Sequence, residues 1–217
     1  MLKIIGMAFS FCKLMEGLNK SEIVPDQQTG KAIDAESSTE LKEENEARAF
    51  FAEVKSRLQN VNQWHEYAGE LLASFQLIDN NGIEVQREAR KGDYFKIDIP
   101  GPGSKSGAGF DWVQIEDENY TSTPDGEQFS FRVRPTDNPQ SEEQDVAHFY
   151  SKESTSTFVA QRTGNKITVS VHDRNTKPNT DADRTSDKVR DAVVGTAGAL
   201  SFSKIQWQNL TDGILKK

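Results

Sequence analysis

The chain has one cysteine, Cys12, three histidines, no clustered basic face and no apolar run long enough to cross a bilayer. A lone cysteine excludes an internal disulfide and fits a reducing compartment, so a cytoplasmic protein is expected. None of His65, His148 and His172 has a second His or Cys at metal-ligand spacing, so no metal site is expected, and no cofactor signature is found. Lysine and arginine number 26 against 34 acids, a formal net charge of -8. Phosphate backbones and anionic membranes both call for Lys and Arg gathered on one face, so neither nucleic acid nor a membrane surface is an expected partner. Oligomeric state is not legible.

The N-terminus begins Met1-Leu2-Lys3 and continues as an apolar run from Ile4 to Leu18, interrupted by Gly6, Ser10, Lys13 and Glu16. It is expected to be a docked helix or loose tail. The alternative is a signal or lipoprotein segment, which would make the protein an exported one. Phe9 and Phe11 are bulky for the small-residue positions expected before a lipidated cysteine. Residues 20–45 are polar, with Pro25 and Gly30, and become acidic at Glu40, Glu43, Glu44 and Glu46. They read as a linker with a weak strand near Lys31–Ser37, which divides the chain into an extension over 1–45 and one domain over 46–217.

A chain of 217 residues with twelve Phe and three Trp has enough bulk for one core. Ala47, Phe50, Phe51, Val54, Leu58, Val61, Trp64, Ala68, Leu71 and Leu72 recur every three or four residues and predict a helix over about Glu44 to Glu70. Asn60 and Asn62 mark a break in it. From Ser74 the period becomes two. Phe75 and Leu77, the turn Asp79-Asn80-Asn81-Gly82, then Ile83, Val85 and Arg87 predict a hairpin. Further strands are predicted around Phe95–Ile99, Trp112–Glu116, Phe129–Arg134, Ala147–Tyr150, Thr157–Arg162 and Ile167–His172, the last two joined at Arg162-Thr163-Gly164-Asn165. Consecutive strands without intervening helices indicate an antiparallel sheet. Val189, Ala192, Val193, Ala197, Leu200, Trp207, Leu210 and Ile214 predict a closing helix over about Thr185 to Thr211. Ser203 and Lys204 are its weakest turn, Gly195 and Gly198 sit inside it, and Gly213 is a C-cap. The expected fold is α+β: a curved antiparallel sheet packed on a long C-terminal helix, with an N-terminal helical segment.

This element order resembles the START-like, or Bet v 1-like, helix-grip superfamily (SRPBCC). Ala49-Phe50-Phe51-Ala52-Glu53-Val54 leading to Asn60-Val61-Asn62-Gln63-Trp64 is similar to the helix-then-Trp opening of many such domains. The resemblance covers about residues 31–217, and the long N-terminal extension departs from it. It implies a cavity between sheet and C-terminal helix and an apolar small molecule as partner. The superfamily spans carriers, cyclases, hydroxylase subunits and co-chaperones, so it narrows fold more than activity. No catalytic motif of the superfamily is matched.

Candidate chemistry is scattered. Pro100-Gly101-Pro102-Gly103-Ser104-Lys105-Ser106-Gly107-Ala108-Gly109 is a glycine-rich loop without the Walker spacing. It reads as a strand connection, with phosphate binding or a gate over a cavity mouth as alternatives. Arg132 and Arg134 share one strand face and would clamp a carboxylate or face solvent. His148 or His172 would serve an enzyme as general base. No Gly-x-Ser-x-Gly elbow exists, and Ser154-Thr155-Ser156-Thr157 is ordinary for a half-exposed strand. Glu116-Asp117-Glu118 and Glu142-Glu143-Asp145 lack the pattern of a calcium loop. Aromatics on the expected inner surfaces, Phe50, Phe51 and Phe129 among them, make either a packed core or cavity walls. Candidate ligand-binding residues are Trp64, Phe95, Trp112, Phe131, Arg132, His148, Phe149, Phe158 and Trp207. The expected function is binding of an apolar molecule in an enclosed pocket of a few hundred Å³ or more. An enzyme of cyclase or hydrolase type on the same scaffold, or a ligand-free interaction protein, are the alternatives.

Overall fold

The computed structural model describes residues 23–69, 73–99, 104, 106–142, 145–179 and 185–217, with backbone alone over 185–199. Several expectations lie outside them. These are the apolar run Ile4–Leu18 with Cys12, Glu70 to Leu72, Pro100 to Gly103, Lys105, Glu143, and the side-chain stripe from Val189 to Ala197 with Gly195 and Gly198.

The elements run β1 (Lys31–Glu40), α1 (Glu44–Gln59), a 3-10 turn (Val61–Gln63), α2 (Trp64–Ala68), β2 (Ser74–Ile78), β3 (Tyr94–Asp98), β4 (Asp111–Ser122), β5 (Gly126–Pro135), β6 (Thr155–Thr163), β7 (Lys166–Thr176) and α3 (Thr185–Ile214). The seven strands form one open, curved antiparallel sheet in the order β1-β7-β6-β5-β4-β3-β2. The linker reading of 20–45 gives way over 31–40. There the chain supplies a ten-residue edge strand that pairs along β7 from Lys31↔Thr176 to Glu40↔Lys166. Its Ser, Thr, Asp and Glu residues hid it. Only alternate positions such as Ile33 and Ala35 are buried, so one face is enough to dock it.

Period two decides which side chains enter the core. Phe75 and Leu77, Phe95 and Ile97, Val113 and Ile115, Phe129, Phe131 and Val133, Phe158 and Ala160, and Ile167, Val169 and Val171 share the inner face. Onto it α1 lays Ala47, Phe50, Phe51, Val54 and Leu58. The helix stops at Asn60, where the spacing put the break, and resumes at Trp64. Trp64 is completely buried in the middle of the grip, with ring centroids 4.9 Å from Phe158, 5.1 Å from Phe75 and 5.7 Å from Phe95. Its indole N–H donates to the Leu58 carbonyl at 3.2 Å, so the largest side chain in the core leaves no polar group unpaired.

Three local expectations are corrected. After the Asp79–Gly82 turn there is no second strand, only an Ile78↔Glu84 bridge and a Val85 N–H to Leu77 O bond on the outer edge of β2, where the Asn62 side chain takes the Leu77 N–H and donates to the Val85 carbonyl. Ala147–Tyr150 is extended but not a strand. Its one bridge is Tyr150↔Pro178, and a proline has no N–H with which to continue a ladder. Gly213 is not a cap but lies within α3, which runs to Ile214. A Cβ there would stand 2.2 Å from the Tyr67 carbonyl oxygen, so a glycine is what lets α3 touch the end of α2.

Candidate functional site

The outer face of the sheet takes the polar candidates out of the grip. A bulge between Ile115 and Asp117 lets Glu116 reach both arginines of β5. Arg132 Nε and Arg134 Nε donate to the two Glu116 oxygens, the latter at 2.6 Å, and Arg132 also donates to the Ile23 carbonyl. Burial disfavours the Glu116 anion, but Arg134 and Arg132 more than offset it and hold the carboxyl below its ordinary range. Arg132 is thus placed in an outer ion cluster, away from the pocket described below. His172 is on that face too, its Nδ1 2.6 Å from Asp34 and its Nε2 3.0 Å from Ser170.

Trp112 also lies opposite the core, because its neighbours in β4, Val113 and Ile115, point inward. It packs with Ile78 and Ala147, and its indole donates to the Gly107 carbonyl at 3.1 Å. The described part of the glycine-rich loop is a tight turn over this ring. A Cβ on Gly107 would stand 1.8 Å from the Phe110 carbonyl oxygen. Trp64, Phe95, Phe131 and Phe158 are brought together, but as close-packed core rather than as open walls.

The remaining candidates, His148, Phe149 and Trp207, meet at one end of the grip. They line a pocket between the 147–151 segment, strands β2, β3 and β7, and α3, together with Phe75, Ile97, Tyr150, Ser156, Asp173, Phe202, Ser203 and Gln206. Its cavity volume is about 50 Å³, and the depression measured out to open solvent is about 400 Å³. That is well short of the enclosed cavity of a few hundred Å³ expected. Trp64 and its aromatic neighbours fill the centre of the grip.

The sheet and helix build this pocket by continuing their own periods. Along β7 the inward positions run Ile167, Val169, Val171, Asp173, so a carboxylate occupies the fourth site of an apolar series. It sits opposite Ile33 of β1 and Ser156 of β6. Its Oδ2 accepts the Trp207 indole N–H at 2.9 Å, while its Oδ1 has no hydrogen-bond partner. Burial pushes this acid up from 3.8 to about 6, against the pull of Ser156, Trp207 and Arg174. On α3, Ser203, Gln206 and Trp207 face the sheet one turn before Leu210. Gln206 Oε1 accepts the Ala73 N–H at 3.0 Å, and its buried Nε2 is unpartnered. Tyr150 Oη lies 3.2 Å from Ser203 Oγ, and burial raises the phenol well above its ordinary value. His148 Nδ1 accepts the Tyr150 N–H at 2.9 Å, which places the proton of a neutral ring on Nε2. Asn179 Nδ2 holds the carbonyls of Val146 and His148 at 3.1 Å each, fixing this wall.

The sequence reading missed Asp173, Gln206, Ser203 and Tyr150. The signal for the first was the i, i+2 series ending in an acid, and for the next two the weak turn of an otherwise apolar stripe. Of the polar groups weighed as catalytic, His148 alone lines the pocket, while His172, Arg132 and Arg134 lie on the opposite side of the sheet. Among the described residues no group of three or more His, Cys, Asp and Glu is placed to hold a metal ion. No described helix is long and apolar enough to cross a membrane.

Strand order and closing helix make this a helix-grip α+β protein, with the START-like, Bet v 1-like element order read in the sequence. No protein-family model matches the chain, and no curated protein matches it. Among solved structures it is similar to a hypothetical protein from Helicobacter pylori at 10% identity, covering 88% of this chain and 90% of that one with a TM-score of 0.47. It is also similar to truncated norcoclaurine synthase from Thalictrum flavum, at 9% identity, 89% and 99% coverage and a TM-score of 0.34. A START superfamily protein from Mycobacterium smegmatis shows 9% identity, 84% and 100% coverage and a TM-score of 0.33. The fold stands on the chain's own strand order and closing helix, not on these likenesses.

Proposed function

We propose that the protein binds a small, mostly apolar molecule at the end of the grip, between β2, β3, β7 and α3. One observation carries this reading: the pocket walled by Phe75, Ile97, Phe149, Phe202 and Trp207 with a few polar groups at its base. Such a mixture supports a molecule held by apolar contact and oriented by hydrogen bonds. The pocket is small, so the ligand's body extends into the outer depression, or is itself only a few atoms across. Among the described residues the exposed large apolar side chains are Ile83 after the Asp79–Gly82 turn, Tyr120 on β4 and Ile205 on α3.

Native mass spectrometry of freshly purified protein, compared with its denatured mass, tests the reading. A reproducible excess mass lost on denaturation is the expected result. A clean apo mass, together with no binding of small aromatic probes at millimolar concentration, overturns it.

A further inference from the structure

Two polar atoms on side chains that line the pocket have no hydrogen-bond partner among the described residues, and their chemistries are complementary. Asp173 is 1% exposed and Gln206 is 2% exposed, so neither can turn to solvent. Asp173 Oδ1 has no donor at hydrogen-bond distance, although the neighbouring Ser156 hydroxyl favours its anion, and Gln206 Nε2 is a donor without an acceptor. Buried groups left in this state cost free energy, and the great majority in folded proteins are paired. The other half of each side chain is already fixed. Asp173 Oδ2 takes the Trp207 indole, and Gln206 Oε1 takes the Ala73 N–H, so neither can rotate to satisfy itself without breaking a bond. The apolar walls beside them, Phe75 and Trp207, are part of the same pocket.

We propose that this pair reads a hydroxyl head on the pocket's ligand: the O–H donates to Asp173 Oδ1, and the same oxygen accepts from Gln206 Nε2. The ligand class is an apolar alcohol or phenol. An ammonium head would meet Asp173, but it has no lone pair for Gln206. A carboxylate would meet Gln206 but repel Asp173. A hydroxyl can serve both with one oxygen, as donor and acceptor at once. Titratable neighbours agree with an ionised acceptor at neutral pH. Arg174 and Asp34 lie across the sheet with opposing effects on Asp173, while His148 and Tyr150 line the same pocket. The inference rests on the pocket being the binding site.

Phenol and toluene are near-isosteric and differ in the hydroxyl, so their affinities for the full chain separate head recognition from apolar fit. The expected result is that phenol binds about tenfold more tightly than toluene, as a charge-assisted hydrogen bond implies. Asp173→Asn turns a donor toward the pocket in place of the acceptor, and Gln206→Met removes the donor. Each should reduce the preference for phenol over toluene to about twofold or less. Equal affinity for the two probes in the unaltered protein overturns the head assignment and leaves the pocket reading intact. Absence of binding by either overturns both. A phenol preference that survives in both folded variants places the recognition elsewhere and refutes the assignment.

Discussion

Replacing Asp173 by Asn should make this protein more stable, and the gain should depend on pH. In the unfolded chain Asp173 titrates near 3.8, and in the folded protein near 6, because burial disfavours the anion. Between these values the folded state holds a proton that the unfolded state has released. Stability therefore falls as pH rises through that interval, and above it the full cost persists. At about 1.4 kcal/mol per pH unit, the difference between 3.8 and about 6 amounts to about 3 kcal/mol at neutral pH. Asparagine keeps an oxygen for the Trp207 indole and carries no charge. Asp173→Asn should thus be about 2–3 kcal/mol more stable than the unaltered protein at pH 7.5, a rise of roughly 4–12 °C in melting temperature for a chain of this size. Near pH 4 the two should converge. Urea unfolding of both proteins at pH 7.5 and pH 4 reads the difference directly, since acid effects on other carboxylates cancel between them. A variant that is less stable at pH 7.5, or a gap that is the same at both pH values, would refute the reasoning. A costly side chain kept in a pocket is what a stability-for-function exchange looks like.

Other perturbations test the frame around the pocket. Gly213→Ala would add about 1 kcal/mol of helix propensity in an open helix. Here the clash with the Tyr67 carbonyl should reverse the sign, for a net loss of about 1–3 kcal/mol in thermal or urea unfolding. Phe158→Ala removes the ring 4.9 Å from Trp64 and 5.2 Å from Trp207, and should cost about 3–5 kcal/mol by urea unfolding. For Glu116, held below its ordinary 4.5 by Arg134 and Arg132, the stabilisation is present above that value and is lost as pH falls below it. Glu116→Gln should be the less stable protein at pH 7, with the gap shrinking below about pH 4.5 in a pH series of melting temperatures.

The fold was legible where one period holds for several residues. Phe129, Phe131 and Val133, or Phe50, Phe51 and Val54, commit their elements to one face, and the structure buries them there. It was illegible where only one side of an element is apolar. Strand β1 shows Ile33 and Ala35 among charged and hydroxyl residues, so the sequence offered only a weak strand near Lys31–Ser37 inside a linker. Trp112 illustrates a second limit. Bulk suggested the core, but strand parity puts it opposite Val113, under the turn at Gly107. The site was the least legible part for the same reason. Histidines and arginines stand out in a sequence as chemical types, but Arg132, Arg134 and His172 pair with acids on the outer face. Asp173 and Gln206 look ordinary as residue types. They become notable only as polar members of the apolar series Ile167-Val169-Val171 and of the stripe ending in Leu210 and Ile214.

The three tryptophans allow the pocket to be tested against internal controls in one spectrum. Trp64 donates its indole N–H to Leu58 in the core, Trp112 to Gly107 on the outer face, and Trp207 to Asp173 in the pocket. The indole resonances of ¹⁵N-labelled full-length protein, followed while phenol is added, report on each location separately. Binding at the end of the grip predicts a saturable shift of the Trp207 resonance, with Trp64 and Trp112 essentially unmoved. No shift at Trp207 up to millimolar phenol, or an equal drift of all three, would contradict it.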